Sequence, residues 1–142
     1  MQPRLDFYKA SPDAAKAMLA LVAAVNNLGI DHTLLELVKL RASQVNGCAY
    51  CVDLHSSDAR KRGESERRLH AVAVWREAPF FTERERAALA WTEALTRISE
   101  TRAPDADYDA GENPAVAGAR TCPTSTFRGA LTGGFLGVVR LL

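Results

Sequence analysis

Two cysteines stand three residues apart in the stretch NGCAYCVDLHSSD, Asn46 to Asp58, and a histidine follows the second by four. On a helix, Cys48, Cys51 and His55 fall along one face, each a turn from the next. Asn46-Gly47 reads as the stop of a preceding helix, so Cys48 is expected at the start of a new one. Free backbone N–H groups and the helix dipole stabilise a thiolate there, and a thiol so placed is a better nucleophile at neutral pH. An imidazole one turn from Cys51 can take the thiol's proton and return one to a departing oxygen. Glu36 adds a carboxylate in the middle of a leucine-rich helix. If that helix packs antiparallel to the cysteine helix, Glu36 reaches His55 and orients it. The competing arrangement pairs Glu36 with Lys39 or Arg41 at the surface.

Other chemistries use the same residue types. Cys48, Cys51 and His55 have plausible zinc-ligand spacing, but a structural zinc needs a fourth ligand. His32, His70 and Cys122 are scattered singles. The pair could also simply fill a core. A thioredoxin-like site is disfavoured because no strand precedes the motif and no βαβ pattern surrounds it.

The elements that must position these residues read as helices. SPDAAKAMLALVAAVNNLG, residues 11–29, has Ser11 to cap it, Pro12 in the first turn and Gly29 at its end. Met18, Leu19, Leu21, Val22 and Val25 recur in it at helical spacing. The next helix spans residues 31–47, with Asp31 or Thr33 as cap and Leu34, Leu37, Val38 and Leu40 facing inward. The cysteine helix follows from Cys48 to Gly63. Residues 64–77 are predicted as a fourth helix. A fifth opens after Pro79, with Thr82 and Glu85 as a capping box. Its buried side is drawn from Ala87, Leu89, Ala90, Ala94, Leu95 and Ile98. No strand pattern appears through residue 102, so the expected class is all-α, a helical bundle with its Cys-x-x-Cys at a helix N-terminus.

The chain of 142 residues suits one domain, with 47% hydrophobic and 25% charged residues and a formal net charge of +1. That charge, without a long basic stripe, argues against nucleic-acid binding. No window approaches the roughly 20 apolar residues of a membrane span, and the N-terminus lacks a signal-peptide core. The expectation is a cytoplasmic protein without membrane or cofactor. Residues 1–110 are expected to form the helical domain, and 111–142 an atypical Gly/Ala/Thr-rich segment. From Asn113 to Leu142 there is no Asp, Glu or Lys, and six of nine glycines lie at or after Gly111. Such a composition fits either a flexible tail or the product of a shifted reading frame.

The residues from Glu36 through Cys48 and Cys51 to His55 resemble the Glu-x11-Cys-x2-Cys-x3-His signature of alkylhydroperoxidase D-like proteins, within the carboxymuconolactone decarboxylase-like family. LVKLRASQVNGCAYCVDLHSSDARKRGE and WREAPFFTERERAALAWTEALT carry the likeness, which spans about Asp6 to Ala110. It implies an all-α bundle assembled as trimers or hexamers. It implies Cys51 as the thiol that attacks peroxide and Cys48 as the resolving thiol, with His55 and Glu36 relaying protons. A thiol donor such as a lipoyl protein would re-reduce the disulfide. Peroxidase members carry a second histidine just before the second cysteine, where this chain has Tyr50. Similar chains end in a further amphipathic helix that 111–142 does not match, and its loss would leave Leu89, Trp91 and Leu95 partly uncovered. Two other functions compete: a redox sensor that turns nothing over, and a lactone decarboxylase, whose chemistry needs no cysteine pair.

Overall fold

A computed structural model describes residues 6–27 and 29–112, and the backbone alone at Gly111 and Glu112. The described residues are all-α. The order is α1 (Phe7–Ala10), α2 (Pro12–Asn26), α3 (His32–Val45), α4 (Ala49–Lys61), α5 (Glu66–Ala71), a 3-10 turn (Val72–Val74), α6 (Glu83–Thr96), α7 (Ile98–Thr101) and α8 (Asp105–Glu112).

α3 is the centre of the molecule. Leu34, Leu35, Glu36, Leu37, Val38, Leu40, Ala42 and Ser43 are all buried. Its buried positions are apolar except at Glu36 and Ser43, while Thr33, Lys39, Arg41 and Gln44 are only partly covered. Leu34, Leu35, Val38 and Ala42 pack against Val25 and Ile30 on one side and against Ala88, Trp91, Ala94 and Leu95 of α6. Leu37 and Leu40 face a second cluster with Ala59, Leu69, Val72, Trp75, Phe81 and Leu89. Asp31 caps α3, its side chain accepting from the Leu34 amide at 2.9 Å.

α6 starts as its sequence requires. The Thr82 hydroxyl accepts from the Glu85 amide, and the Glu85 carboxylate accepts from the Thr82 amide at 2.8 Å. Arg68 of α5 also donates to Glu85 and, at 2.7 Å, to the Phe80 carbonyl. These bonds tie α5 to the start of α6.

Several expectations are corrected. The helix expected over 64–77 is α-helical only to Ala71, and Val72–Val74 is a 3-10 turn. Arginines from elsewhere take its backbone carbonyls: Arg41 binds Ala73 O at 3.3 Å, and Arg86 binds Arg76 O at 3.1 Å and Ala78 O. These bonds give the carbonyls partners outside any helix ladder. In α2 the inward stripe is Ala15, Met18, Val22 and Val25, whereas Leu19 and Leu21 are exposed. Ser11 sits at the N-cap position but makes no side-chain cap bond. Ile98 is 43% exposed because α6 ends at Thr96, which rotates the next turn away from the buried side. Leu89, Trp91 and Leu95 are fully covered rather than uncovered. Tyr108 of α8 lies edge-on to Trp91 at 5.6 Å between ring centroids. α8 spans Asp105–Glu112, the last described residues. The atypical composition of 113–142 lies outside the described residues. Among the described residues no helix is long and apolar enough to cross a membrane.

Candidate active site

The junction of α3 and α4 places the cysteines. Gly47 takes φ +66°, a left-handed backbone that glycine adopts without a Cβ penalty. The Gly47 amide then donates to Gln44 O at 3.1 Å and the Cys48 amide to Ser43 O at 3.0 Å. This is the Schellman closure of α3, and it presents Cys48 as the N-cap of α4. Cys48 Sγ accepts from the Cys51 amide at 3.3 Å. A capping sulfur in that position gains from the α4 dipole as well as from the amide. Cys48 and Cys51 form a disulfide, with Cα atoms 5.4 Å apart. Cys51 is 8% exposed and Cys48 half-buried.

The tight turn also folds α4 back along α3, so Glu36 and His55 meet across the hairpin. His55 Nδ1 lies 2.9 Å from Glu36 Oε2. A carboxylate only accepts, so Nδ1 carries the hydrogen, and Nε2 is the nitrogen left to exchange a proton. His55 is one helical turn from Cys51.

Glu36 is not at the surface. It is 4% exposed, and its other oxygen, Oε1, accepts from Lys39 Nζ at 3.0 Å. Lys39 donates in turn to Asn26 Oδ1, at the end of α2, at 3.2 Å. Burial pushes the Glu36 carboxyl upward, but the hydrogen bonds from His55 and Lys39 outweigh it and hold the group below the usual carboxylate range. Both pairings foreseen for Glu36 thus occur together, apart from Arg41. Arg41 is taken by Glu93, which accepts from Arg41 Nε at 2.7 Å, from Trp75 Nε1 at 2.8 Å, and from Arg76.

All four residues singled out by sequence come together at this hairpin. The Glu36–Lys39 pairing was foreseen, but as a surface contact; that Asn26 joins it, and that Glu93 ties α3, the residues after the 3-10 turn and α6 behind it, was not. The i, i+3 spacing of Glu36 and Lys39 was the one available signal. Nothing in the sequence marks Asn26, whose link spans thirteen residues. Tyr50, between the cysteines, is 70% exposed, and Leu54, one turn on, is 37% exposed. No group of three or more His, Cys, Asp or Glu among the described residues is arranged to hold a metal ion.

The model of the carboxymuconolactone decarboxylase family matches residues 12–94, a span that holds Glu36, both cysteines and His55. The chain belongs to this family. Within the family it is alkylhydroperoxidase D-like. It is 41% identical over 108 residues to the uncharacterized protein YdfG of Bacillus subtilis, covering 76% of this chain and 74% of YdfG. It is 40% identical over 67 residues to the uncharacterized protein YnjA of Escherichia coli, covering 47% of this chain but 37% of YnjA. Its structure resembles the crystal structure of ATU0492 from Agrobacterium tumefaciens. The TM-score is 0.86 at 38% identity, over 99% of this chain and 92% of that one. ATU0492 is described as a protein of unknown function, proposed to be the antioxidant defence protein AhpD.

Proposed function

We propose that this protein is an antioxidant enzyme that reduces hydroperoxides through a dithiol/disulfide cycle at Cys51 and Cys48. The observation that carries the reading is the buried Glu36, 2.9 Å from His55, one turn from a cysteine paired with the N-cap of its own helix. His55 takes the Cys51 proton. The Cys51 thiolate attacks one peroxide oxygen, the O–O bond breaks, and the departing oxygen leaves as an alcohol or water with the proton from His55. Cys51 is then a sulfenic acid. The Cys48 thiolate attacks its sulfur, releases water once a proton is supplied, and closes the disulfide. A dithiol donor, such as a lipoyl protein, returns both cysteines to thiols and itself becomes a disulfide.

Membership of a family that includes decarboxylases leaves a second activity to compare. The cysteine pair favours the redox reading, since lactone decarboxylation needs neither sulfur.

Hydroperoxide consumption with a dithiol reductant tests the proposal. The wild-type protein should turn over repeatedly, and Cys51→Ser should lose that turnover. Stoichiometric loss of two thiols per chain without turnover would point instead to a redox sensor.

A further inference from the structure

Lys39 is the one charged partner of Glu36 that the proposed proton relay does not use. Its side chain is 12% exposed, its ammonium lies 3.0 Å from Glu36 Oε1, and Asn26 of α2 holds it from the other side at 3.2 Å. A lysine side chain gives up its hydration only where acceptors replace water. Here two acceptors do so, and they come from different helices. The carboxylate is thus divided: Oε1 serves Lys39 and Oε2 serves His55. From this division we infer that Lys39 is a positioning residue, which keeps Glu36 ionised and turned so that His55 always offers Nδ1–H to it and Nε2 to the cysteine site.

This inference rests on the peroxide-reducing reading and deepens it. The titratable groups that face Glu36 are Lys39 from α3 and His55 from α4. α2 contributes the neutral Asn26, and the nearby Arg41 is engaged with Glu93. Removing the Lys39 charge therefore leaves buried Glu36 with no fixed positive charge among these groups, only the imidazole of His55. Desolvation then favours protonation. A protonated Glu36 can itself donate, so it no longer fixes which imidazole nitrogen carries the hydrogen.

The test follows the carbon-13 resonance of the Glu36 carboxyl against pH, alongside the pH profile of hydroperoxide turnover with a dithiol. Lys39→Met should raise the Glu36 midpoint by about one pH unit or more, and the acid limb of turnover should move up with it. Lys39→Arg, which keeps the charge, should restore both. An unmoved midpoint overturns the inference. So does a shifted midpoint with an unmoved acid limb, or a uniform loss of rate with the profile unchanged, the mark of a purely structural lysine. If the wild-type protein consumes no hydroperoxide, the functional reading fails on its own, and the Glu36 midpoint still decides what Lys39 does. If Lys39→Met does not fold, Lys39→Gln removes the charge while keeping a donor, and is judged by the same midpoint.

Discussion

A thiolate and a leaving oxygen need opposite proton transfers, and one imidazole serves both only if its two nitrogens are kept distinct. The Glu36–His55 contact provides that distinction. If the two act as a unit, Glu36→Gln and His55→Gln should each lower turnover, and the double variant should be little worse than the poorer single one. Additive losses, or an unchanged rate and pH profile in Glu36→Gln, would leave Glu36 a structural residue. The residues themselves were legible in the sequence because their types and spacing name a chemistry. Cys48, Cys51 and His55 sit on one helix, so a fixed periodicity places them. Glu36 stood out as a charge among leucines. Its full environment was not legible, because Asn26 comes from another helix and local spacing says nothing about it.

At the scale of elements, the α3–α4 turn does most of the positioning. A side chain at residue 47 would meet no atom within 4 Å, so the whole cost of replacing Gly47 lies in its backbone conformation, φ +66°. Gly47→Ala should destabilise the protein by about 1–2 kcal/mol, read as a lower urea midpoint at unchanged slope. An unchanged midpoint would show that the turn relaxes freely and that the Schellman closure is not what sets Cys48. The ends of α3 and α4 and the start of α6 were legible because Asn-Gly, Gly63 and the Thr82–Glu85 box are local signals. The early end of α5 was not. Arg41 of α3 and Arg86 of α6 donate to the carbonyls of Ala73, Arg76 and Ala78. The inward face of α2 was not legible for a related reason: Leu19 and Leu21 share the helical period with Val22 and Val25, and only tertiary packing decides which of them is covered.

The molecule as a whole is held by buried ion pairs as well as by leucines. Glu93 joins Arg41 of α3, Trp75 after the 3-10 turn, and Arg76. Removing Glu93 leaves the largely buried Arg41 without its carboxylate and the Trp75 indole without an acceptor, while Arg76 stays hydrated, so Glu93→Ala should cost about 3 kcal/mol, measured by denaturant unfolding. Burial raises the carboxyls of Glu36, Glu85 and Glu93, but their hydrogen bonds prevail and hold all three below the ordinary value of 4.5. A lowered folded-state value means the stabilisation is fully present above the unfolded value and is lost as pH falls through the folded ones. Melting temperature should therefore drop below about pH 4.5, and Glu93→Gln, which has no proton to gain, should show a shallower acid drop. Phe7, Tyr8, Leu19 and Leu21 leave apolar surface exposed on α1 and α2. With the family resemblance, this supports a homo-oligomer, which light scattering should detect as a mass above that of one chain. A monomer at every concentration would contradict it. The all-α class was legible from periodicity alone, whereas the Glu93 network joins residues too far apart in sequence to announce themselves.

The most direct measurement of the central claim is mass spectrometry of the reduced Cys48→Ser variant after brief exposure to an alkyl hydroperoxide. With no resolving thiol, oxygen should accumulate on Cys51, first as the sulfenic acid and then as the over-oxidised forms, while the wild-type protein closes its disulfide instead. Oxidation of Cys122 with Cys51 still reduced would contradict the account.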